Sequence, residues 1–278
     1  MRYAVFLLLF VWGIGSISAQ VVYSQEDSVR FEAKIQELKS IRATHLGDSI
    51  VTIGKTFLGT SYVEKTLEVG ETEQLVINLR GLDCTTFVEN VIAFGTLVKS
   101  EKYAFENFTN ALQTVRYRDG MLNGYPSRLH YFTDWIRNNA QKGLVKDITN
   151  ELGGEMVSKP INFMGTHRKL YPFLASDENH NAILAVEAEL AEEELCILPQ
   201  RMIVEKEHLI QSGDIIALAT SIKGLDVTHT GLAIEKEGRI HLLQASTSGE
   251  VPITKVPLVD YLKKIKHNTG IIIARPIF

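Results

Sequence analysis

The sequence predicts an α+β fold in which helices come first along the chain and an antiparallel sheet follows. Apolar residues recur at helical spacing through much of the first hundred residues, whereas from Leu209 onward the pattern changes to short strands. Strands and helices do not alternate regularly, so a parallel sheet is not favoured. The 278 residues are 45% apolar and 22% charged, which is typical of a globular chain and suits one elaborated domain.

The first nineteen residues have the pattern of a secretory signal peptide. Arg2 gives a positive start, a mostly apolar run extends from Tyr3 to Ile14, and small residues precede Gln20. The run is shorter than the roughly 20 residues that a spanning helix needs. We therefore expect cleavage after Ala19, a single mature domain over residues 20–278, no stable membrane span, and a periplasmic or secreted protein.

Three helices and a short strand are predicted in the first hundred residues. Two helices lie between Asp27, which we expect as an N-cap, and Gly59, and residues 75–79 predict a strand. The third helix begins after Asp83, which occupies the N-cap position. Its apolar residues fall largely on one face, and they include Phe87, Val88, Val91, Ile92 and Leu97. Cys84 therefore lies in the first turn of a largely buried helix.

The stretch from about 101 to 200 has mixed character. Residues 105–115 predict a helix, and Ser127 is expected to cap another. The acidic run from Ala182 to Cys196 also predicts a helix, with Glu187 to Glu194 on a solvated face. Cys196 is interpreted as a structural thiol.

Four strands are predicted after Leu209, at 214–218, 229–234, 240–245 and 270–274. If residues 235–238 form a four-residue turn, Gln244 lies directly across from His229, and the two side chains share one face of the hairpin. His241 then lies on the other face.

Composition excludes several classes of function. The 29 Lys and Arg against 33 Asp and Glu give a net charge of −4, which provides no cationic surface for nucleic acid. The two cysteines allow at most one disulfide, and no His or Cys cluster has the spacing of zinc ligands. We expect no metal and no organic cofactor.

Cys84 and His229 are the candidate catalytic residues. Unpaired backbone N–H groups and the positive end of the helix dipole favour a thiolate at a helix start. A nucleophilic thiol also needs a base, which His229 can supply, and a group such as Gln244 that orients the imidazole. From these residues alone the alternative stays open, because a free cysteine often packs as an inert core residue and a strand histidine is often structural.

Several blocks of the chain, in order, resemble the NlpC-type cysteine peptidases: Gly59-Thr60-Ser61-Tyr62-Val63, Asp83-Cys84-Thr85-Thr86-Phe87-Val88, Ser212-Gly213-Asp214-Ile215-Ile216, His229-Thr230-Gly231-Leu232-Ala233-Ile234 and Gln244-Ala245-Ser246. Two further blocks, Arg116-Tyr117-Arg118-Asp119-Gly120 and Ser127-Arg128-Leu129-His130-Tyr131-Phe132-Thr133-Asp134-Trp135, resemble the N-acetylmuramoyl-L-alanine amidase-like branch, formerly a domain of unknown function. The resemblance implies a circularly permuted papain-like core that hydrolyses amide bonds of bacterial peptidoglycan.

The resemblance also implies roles for individual residues. Cys84, His229 and Gln244 would be catalytic, and the Cys84 backbone N–H, assisted by the Tyr62 hydroxyl, would hold the oxyanion. The neighbouring and substrate-binding residues would be Asp83, Thr85, Arg128, His130 and Tyr131, with Arg128 holding a stem carboxylate and Tyr131 stacking on a sugar. Because 145 positions separate Cys84 from His229, residues from about 101 to 200 would be an insertion that forms a wall or lid.

The implied reaction is hydrolysis of the amide between N-acetylmuramic acid and L-alanine in muropeptides, through a thioester. Three alternatives remain at this stage. They are a stem-peptide endopeptidase of the D-glutamyl-diamino acid type, an acyltransferase of the same superfamily, and a wall-binding protein without catalysis.

Overall fold

A computed structural model describes residues 21–41 and 45–278. The predicted signal peptide and its cleavage site lie outside these residues. Within the described part of the chain, no helix is long and apolar enough to cross a membrane.

The first part of the chain is mainly helical, and its short strands lead into the candidate site. The elements are β1 (Val21–Val22), α1 (Gln25–Leu38), α2 (Leu46–Lys55), β2 (Ser61–Tyr62), β3 (Leu75–Val76), β4 (Gly81–Leu82), α3 (Cys84–Ser100) and α4 (Phe105–Arg116). Parallel pairing of β2 with β4 places Tyr62 beside Leu82, two residues before Cys84.

The start of α1 differs from the prediction. Its N-cap is Ser24, and Asp27 is the third helical residue of a reciprocal capping box. Asp27 is fully buried, and its Oδ1 accepts hydrogen bonds from the Leu79 backbone N–H and the Arg80 side chain. Asp27 therefore joins α1 to the segment that leads into β4.

The middle of the chain contains the elements α5 (Phe132–Gln141), β5 (Val145–Asp147), β6 (Glu155–Val157), α6 (Phe163–Thr166), α7 (Asp177–Ala191), β7 (Leu195–Pro199) and α8 (Gln200–Lys206). The predicted cap at Ser127 is wrong, because α5 starts after Tyr131 and the Ser127 hydroxyl donates to the Gly124 carbonyl in a separate turn. Cys196 lies in a strand, since the helix predicted to reach it ends at Ala191.

The last part of the chain contributes β8 (Ile215–Thr220), β9 (Val227–Lys236), β10 (Arg239–Leu243), α9 (Leu258–Leu262) and β11 (Asn268–Pro276). The main sheet has the order β10-β9-β8-β11-β7-β6, β5 also pairs with β11, and the pairs are antiparallel. The architecture is therefore mixed helix and sheet. Residues 101–200 supply three strands of this sheet, and their expected role as an insertion that forms a wall or lid stays a prediction.

Both faces of the sheet are buried, which explains the nearly continuous apolar strands. Alternate residues such as Ala217, Leu232 and Ile272 pack in the core that contains α3, and Ile216, Ala233 and Ile273 pack in the core that contains α9. The α3 and α9 layers thus lie on opposite sides of β8, β9 and β10.

The β9–β10 hairpin has a shorter turn than predicted. Arg239 pairs with Lys236, so the turn consists of Glu237 and Gly238, both with positive φ (55° and 74°), as in a two-residue type I′ turn. Continuing this register places Gln244 beside Gly231 rather than His229. A Cβ on Gly231 would lie 3.0 Å from the Gln244 Cβ. Because the shift is two residues, His229 and Gln244 remain on one face, as predicted.

Candidate active site

Cys84 is the first residue of α3, and a capping box holds it there. The Asp83 carboxylate accepts a hydrogen bond of 2.8 Å from the Thr86 backbone N–H, and the Thr86 hydroxyl accepts one of 2.9 Å from the Asp83 backbone N–H. The predicted N-cap is confirmed, and the Asp83 carboxylate is engaged with the helix. The Cys84 thiol is half-buried at a helix start that the local sequence specifies.

His229 lies near the start of β9, and its side chain lines the same cavity of about 130 Å³ as Cys84. A β-bulge at Thr228 shifts the pairing of β9 with β8 immediately before His229. Bulges redirect neighbouring side chains and are common beside active sites. The backbone of Thr230 hydrogen-bonds the Cys84 sulfur. The residue after the histidine therefore contacts the thiol directly.

Gln244 forms a hydrogen bond with the His229 imidazole. The His229 Nε2–H donates to the Gln244 Oε1 over 2.5 Å, and Gln244 is 2% exposed. We assign the proton to Nε2 because an amide oxygen can only accept. Nδ1 is then unprotonated and can take a proton from a thiol.

Burial sets the protonation states of the pair. It raises the pKa of the Cys84 thiol to about 12, and the Asp83 carboxylate adds to this rise, whereas hydrogen bonds from Thr230 and Thr85 act in the opposite direction. Burial also lowers the pKa of His229 below its usual 6.5, although the Gln244 hydrogen bond and the Asp83 charge oppose that shift. The resting pair is thus a neutral thiol and a neutral imidazole at neutral pH. The preference for a thiolate expected from the helix start is outweighed by desolvation.

Burial raises the pKa of the Tyr62 phenol, and the nearby Cys84 side chain adds to this rise. Its hydroxyl donates to the Glu64 carboxylate over 3.2 Å. An oxyanion role would require this hydroxyl to turn from Glu64 toward the cavity. Thr85 also lines the cavity beside Cys84.

Arg128 lies between two carboxylates of the chain. Its Nη2 lies 3.7 Å from Glu68, its Nε lies 3.5 Å from Glu73, and its guanidinium packs over the Tyr125 ring. Arg128 is 8% exposed. Its contact with a stem carboxylate stays a prediction.

Tyr131 is buried as well. Its hydroxyl donates to Glu187 over 2.6 Å and accepts from the Met164 backbone N–H over 2.8 Å. Tyr131 is 3% exposed and lines the cavity with Cys84 and His229, and its stacking on a sugar stays a prediction. Glu187 is 3% exposed, so the expected solvated face does not include it.

His130 does line the cavity with Cys84 and His229. Its Nε2 donates to the Tyr125 carbonyl over 2.9 Å, its ring packs against the Tyr125 ring, and burial holds its pKa well below 6.5. His130 is therefore a neutral side chain in the cavity wall, and Nδ1 is its acceptor nitrogen.

Tyr261 is a contact of the site that the sequence reasoning missed. The Gln244 Nε2–H donates to the Tyr261 Oη over 3.1 Å. Tyr261 lies on the five-residue helix α9, which is too short for a periodicity signal. No sequence motif identifies Tyr261. The one hint in the sequence was that the segment between Gln244 and the last strand is longer than a simple connection needs.

Cys196 is distant from this arrangement. It lines a different groove together with Met156 and Asp147, and both cysteines are free thiols. Across the described ranges, no group of three or more His, Cys, Asp or Glu side chains is arranged to hold a metal ion.

Residues 52–271 match the model of the family described as N-acetylmuramoyl-L-alanine amidase-like. The chain belongs to this family. Among solved structures, an N-acetylmuramoyl-L-alanine amidase from Bacteroides uniformis is 37% identical, with a TM-score of 0.80, and the match covers 84% of this chain and 99% of that protein. The amidase-like assignment thus agrees with the sequence blocks around Cys84, Arg128 and His229.

Two other solved structures also match this amidase-like chain. A candidate xylanase from Bacteroides fragilis is 40% identical, with a TM-score of 0.75, over 80% of this chain and 98% of that protein. A Legionella pneumophila protein at 22% identity, with a TM-score of 0.68 over 91% of this chain and 96% of its own, shares the fold. The search of curated proteins finds no match.

The cavity chemistry favours an amidase over a glycosidase. Glycoside hydrolysis ordinarily needs two carboxyl groups that flank the bond. Among the residues that line the cavity, Asp226 supplies the carboxyl group, and one of its oxygens accepts from both the backbone and the side chain of Thr133. A thiol with an oriented imidazole matches amide hydrolysis instead.

The hydrogen bond from His229 predicts the effect of changing Gln244. We expect Gln244→Ala to lower kcat by about tenfold to a hundredfold, because the imidazole loses the acceptor that orients it. His241→Ala is the control, since His241 bonds the Thr254 carbonyl on the other face of the hairpin. That control should lose about 1–3 kcal/mol of unfolding free energy yet keep its turnover per folded molecule. Turnover lower in the control than in Gln244→Ala would contradict this assignment.

Proposed function

We propose that the protein is an exported cysteine-dependent amidase that cleaves the bond between N-acetylmuramic acid and L-alanine in peptidoglycan fragments. The observation that carries the proposal is that Cys84 and His229 line one cavity and that Gln244 hydrogen-bonds the His229 imidazole, in a chain of the amidase-like family. A circularly permuted papain-like core of the NlpC type is part of the proposal.

The first half of the reaction forms a thioester. The His229 Nδ1 takes the Cys84 proton as the sulfur attacks the lactyl carbonyl carbon, so that a free thiolate need not accumulate. The carbonyl oxygen becomes an oxyanion, which the Cys84 backbone N–H and a reoriented Tyr62 hydroxyl would stabilise. The imidazolium then protonates the departing amino group of L-alanine.

The second half regenerates the enzyme. His229, neutral again, removes a proton from water as the water oxygen attacks the thioester carbonyl. Collapse of the second tetrahedral intermediate breaks the C–S bond, and His229 returns the proton to the Cys84 sulfur. The products are the muramic carboxylic acid and a free peptide with an L-alanine N-terminus.

Mass spectrometry of the products tests which bond is cut. An intact muropeptide should yield a peptide-free sugar and the complete stem peptide. The matching sugar-free peptide should remain uncut, because contacts to the sugar align the amide for attack. Release of a dipeptide from the sugar-free peptide would indicate the endopeptidase.

The same incubation separates the other two alternatives. Transfer of the muramyl acyl group to an added amine, in preference to water, would indicate an acyltransferase. Binding without any product, undiminished in Cys84→Ala, would indicate a wall-binding protein.

Export is proposed on the basis of the first nineteen residues. Peptidoglycan lies outside the cytoplasmic membrane, so the predicted signal peptide is consistent with this substrate. Cell fractionation followed by N-terminal sequencing of the mature protein tests the proposal. A mature protein that begins at Gln20 and is found outside the cytoplasm would support it, whereas an unprocessed cytoplasmic protein would refute it.

The pKa shifts of Cys84 and His229 predict the pH profile. His229 must be neutral to accept a proton, and burial lowers its pKa below 6.5, so kcat/KM should fall only as the pH drops below that value. Burial raises the pKa of the Cys84 thiol to about 12, so ionisation of the thiol should produce no transition up to about pH 9. Rates measured from about pH 4 to 9, with circular dichroism as the control for unfolding, check this. An acid limb centred above pH 7 would contradict it.

A further inference from the structure

Tyr261 reaches the candidate catalytic residues from a separate layer of the fold. Its Oη lies 3.1 Å from the Nε2 and 3.3 Å from the Oε1 of Gln244, and it therefore touches both ends of the amide. The same amide oxygen accepts the His229 Nε2–H over 2.5 Å. The three side chains form a continuous hydrogen-bonded row.

The position of the Tyr261 hydroxyl is set by core packing. Leu258 and Leu262 of α9 are fully buried in the cluster that contains Leu242 of β10. They anchor α9 against the strand that precedes Gln244, with the Tyr261 ring packed beside them. The hydroxyl is thus held on a rigid support, as a positioning group must be.

Gln244 needs such a support. A glutamine side chain has three torsions. Its amide can orient an imidazole only when it is held at one position and in one plane. The backbone of Gln244 is held by its N–H, which donates to the Pro252 carbonyl over 3.2 Å. The amide itself is held by His229 on one side and by Tyr261 on the other.

We propose that Tyr261 is a positioning residue of the amidase, whose hydroxyl holds the Gln244 amide where its oxygen orients the His229 imidazole. The inference rests on the proposed function, in which His229 is the base. Tyr261 is not among the residues that line the cavity with Cys84 and His229, and it acts through Gln244.

The kinetic test uses Tyr261→Phe, which removes the hydroxyl and keeps the ring that packs beside Leu258 and Leu262. We expect kcat on the muropeptide to fall about tenfold, with KM changed less than about twofold, because substrate contacts are unaltered. Tyr23→Phe is the matched control, since Tyr23 is half exposed and packs against Phe105 outside the site. Full activity in Tyr261→Phe would overturn the proposal.

A double-mutant cycle shows whether Tyr261 acts through Gln244. In the Gln244→Ala background, Tyr261→Phe should cause no further loss of kcat. An equal loss in both backgrounds would mean that the hydroxyl acts independently of Gln244, and the proposal would be wrong.

A third test does not depend on turnover. Nitrogen-15 NMR monitors the titration of the His229 imidazole, and His229→Gln is the assignment control. The Gln244 hydrogen bond raises the pKa of His229, so a loosened amide in Tyr261→Phe should lower that pKa further. The other titratable groups around His229 stay the same in this variant. They are Cys84 of α3, Asp83 at its N-cap, Asp226 immediately before β9, and His130, Tyr131 and Tyr171 of the cavity wall. An unchanged titration would overturn the proposal.

The two proposals fail in distinguishable ways. A wild-type protein without amidase activity, or a fully active Cys84→Ala variant, would refute the proposed function. The titration of His229 would then still decide whether the Tyr261 hydroxyl positions Gln244.

Discussion

Cys84→Ala is expected to abolish release of free peptide from muropeptides, with a loss on the order of ten-thousandfold or more. The variant removes the sulfur that attacks the carbonyl in the proposed reaction, and it leaves the capping box of Asp83 and Thr86 in place. The helix start, and therefore the fold, should be preserved. The measurement is turnover of a purified muropeptide, with thermal unfolding recorded in parallel.

Cys196→Ser is the matched control for Cys84→Ala. Cys196 lines a separate groove and contacts neither His229 nor Gln244, so its loss should leave turnover within about twofold. A serine at Cys196 should lower stability modestly, because the side chain is half-buried. Full activity in Cys84→Ala would rule out cysteine catalysis.

His229→Ala is expected to cause a loss similar to that of Cys84→Ala. With the pKa of the thiol raised to about 12 by burial, thiolate is scarce at neutral pH unless a base removes the proton during attack. The measurement is single-turnover formation of the thioester, which should slow by a factor on the order of a thousand or more.

The combined variant Cys84→Ala/His229→Ala provides the control for His229→Ala. Residues that act as one unit give non-additive losses, so the double variant should be no slower than Cys84→Ala. Partial recovery of His229→Ala at alkaline pH, as the thiol ionises, would support the role of the base. A rate within tenfold of the wild-type rate would exclude it.

The sequence by itself determined the parts of this protein that depend on local rules. Capping and helical spacing predicted that Cys84 would begin a buried helix, because the interactions at a helix start involve residues three positions apart. Strand periodicity placed His229 and Gln244 on one face. That result survived an error of two residues in the turn, since side chains alternate with a period of two.

Only the tertiary structure decided the contacts between side chains that are distant in the sequence. Tyr131 meets Glu187, which lies 56 residues away, and Arg128 lies between Glu68 and Glu73. No local pattern specifies such pairings. The sequence therefore suggested substrate-binding groups without indicating these buried partners.

The protonation states of Cys84 and His229 also depend on residues that are distant in the chain. The helix start favours a thiolate locally, but the layers packed around α3 and β9 remove water from both groups, and desolvation favours the neutral forms. The contact of Tyr261 with Gln244 likewise exists only because buried leucines dock α9 on β10. Sequence patterns located the candidate catalytic residues, and burial by distant segments determined their protonation states and the contacts of Gln244.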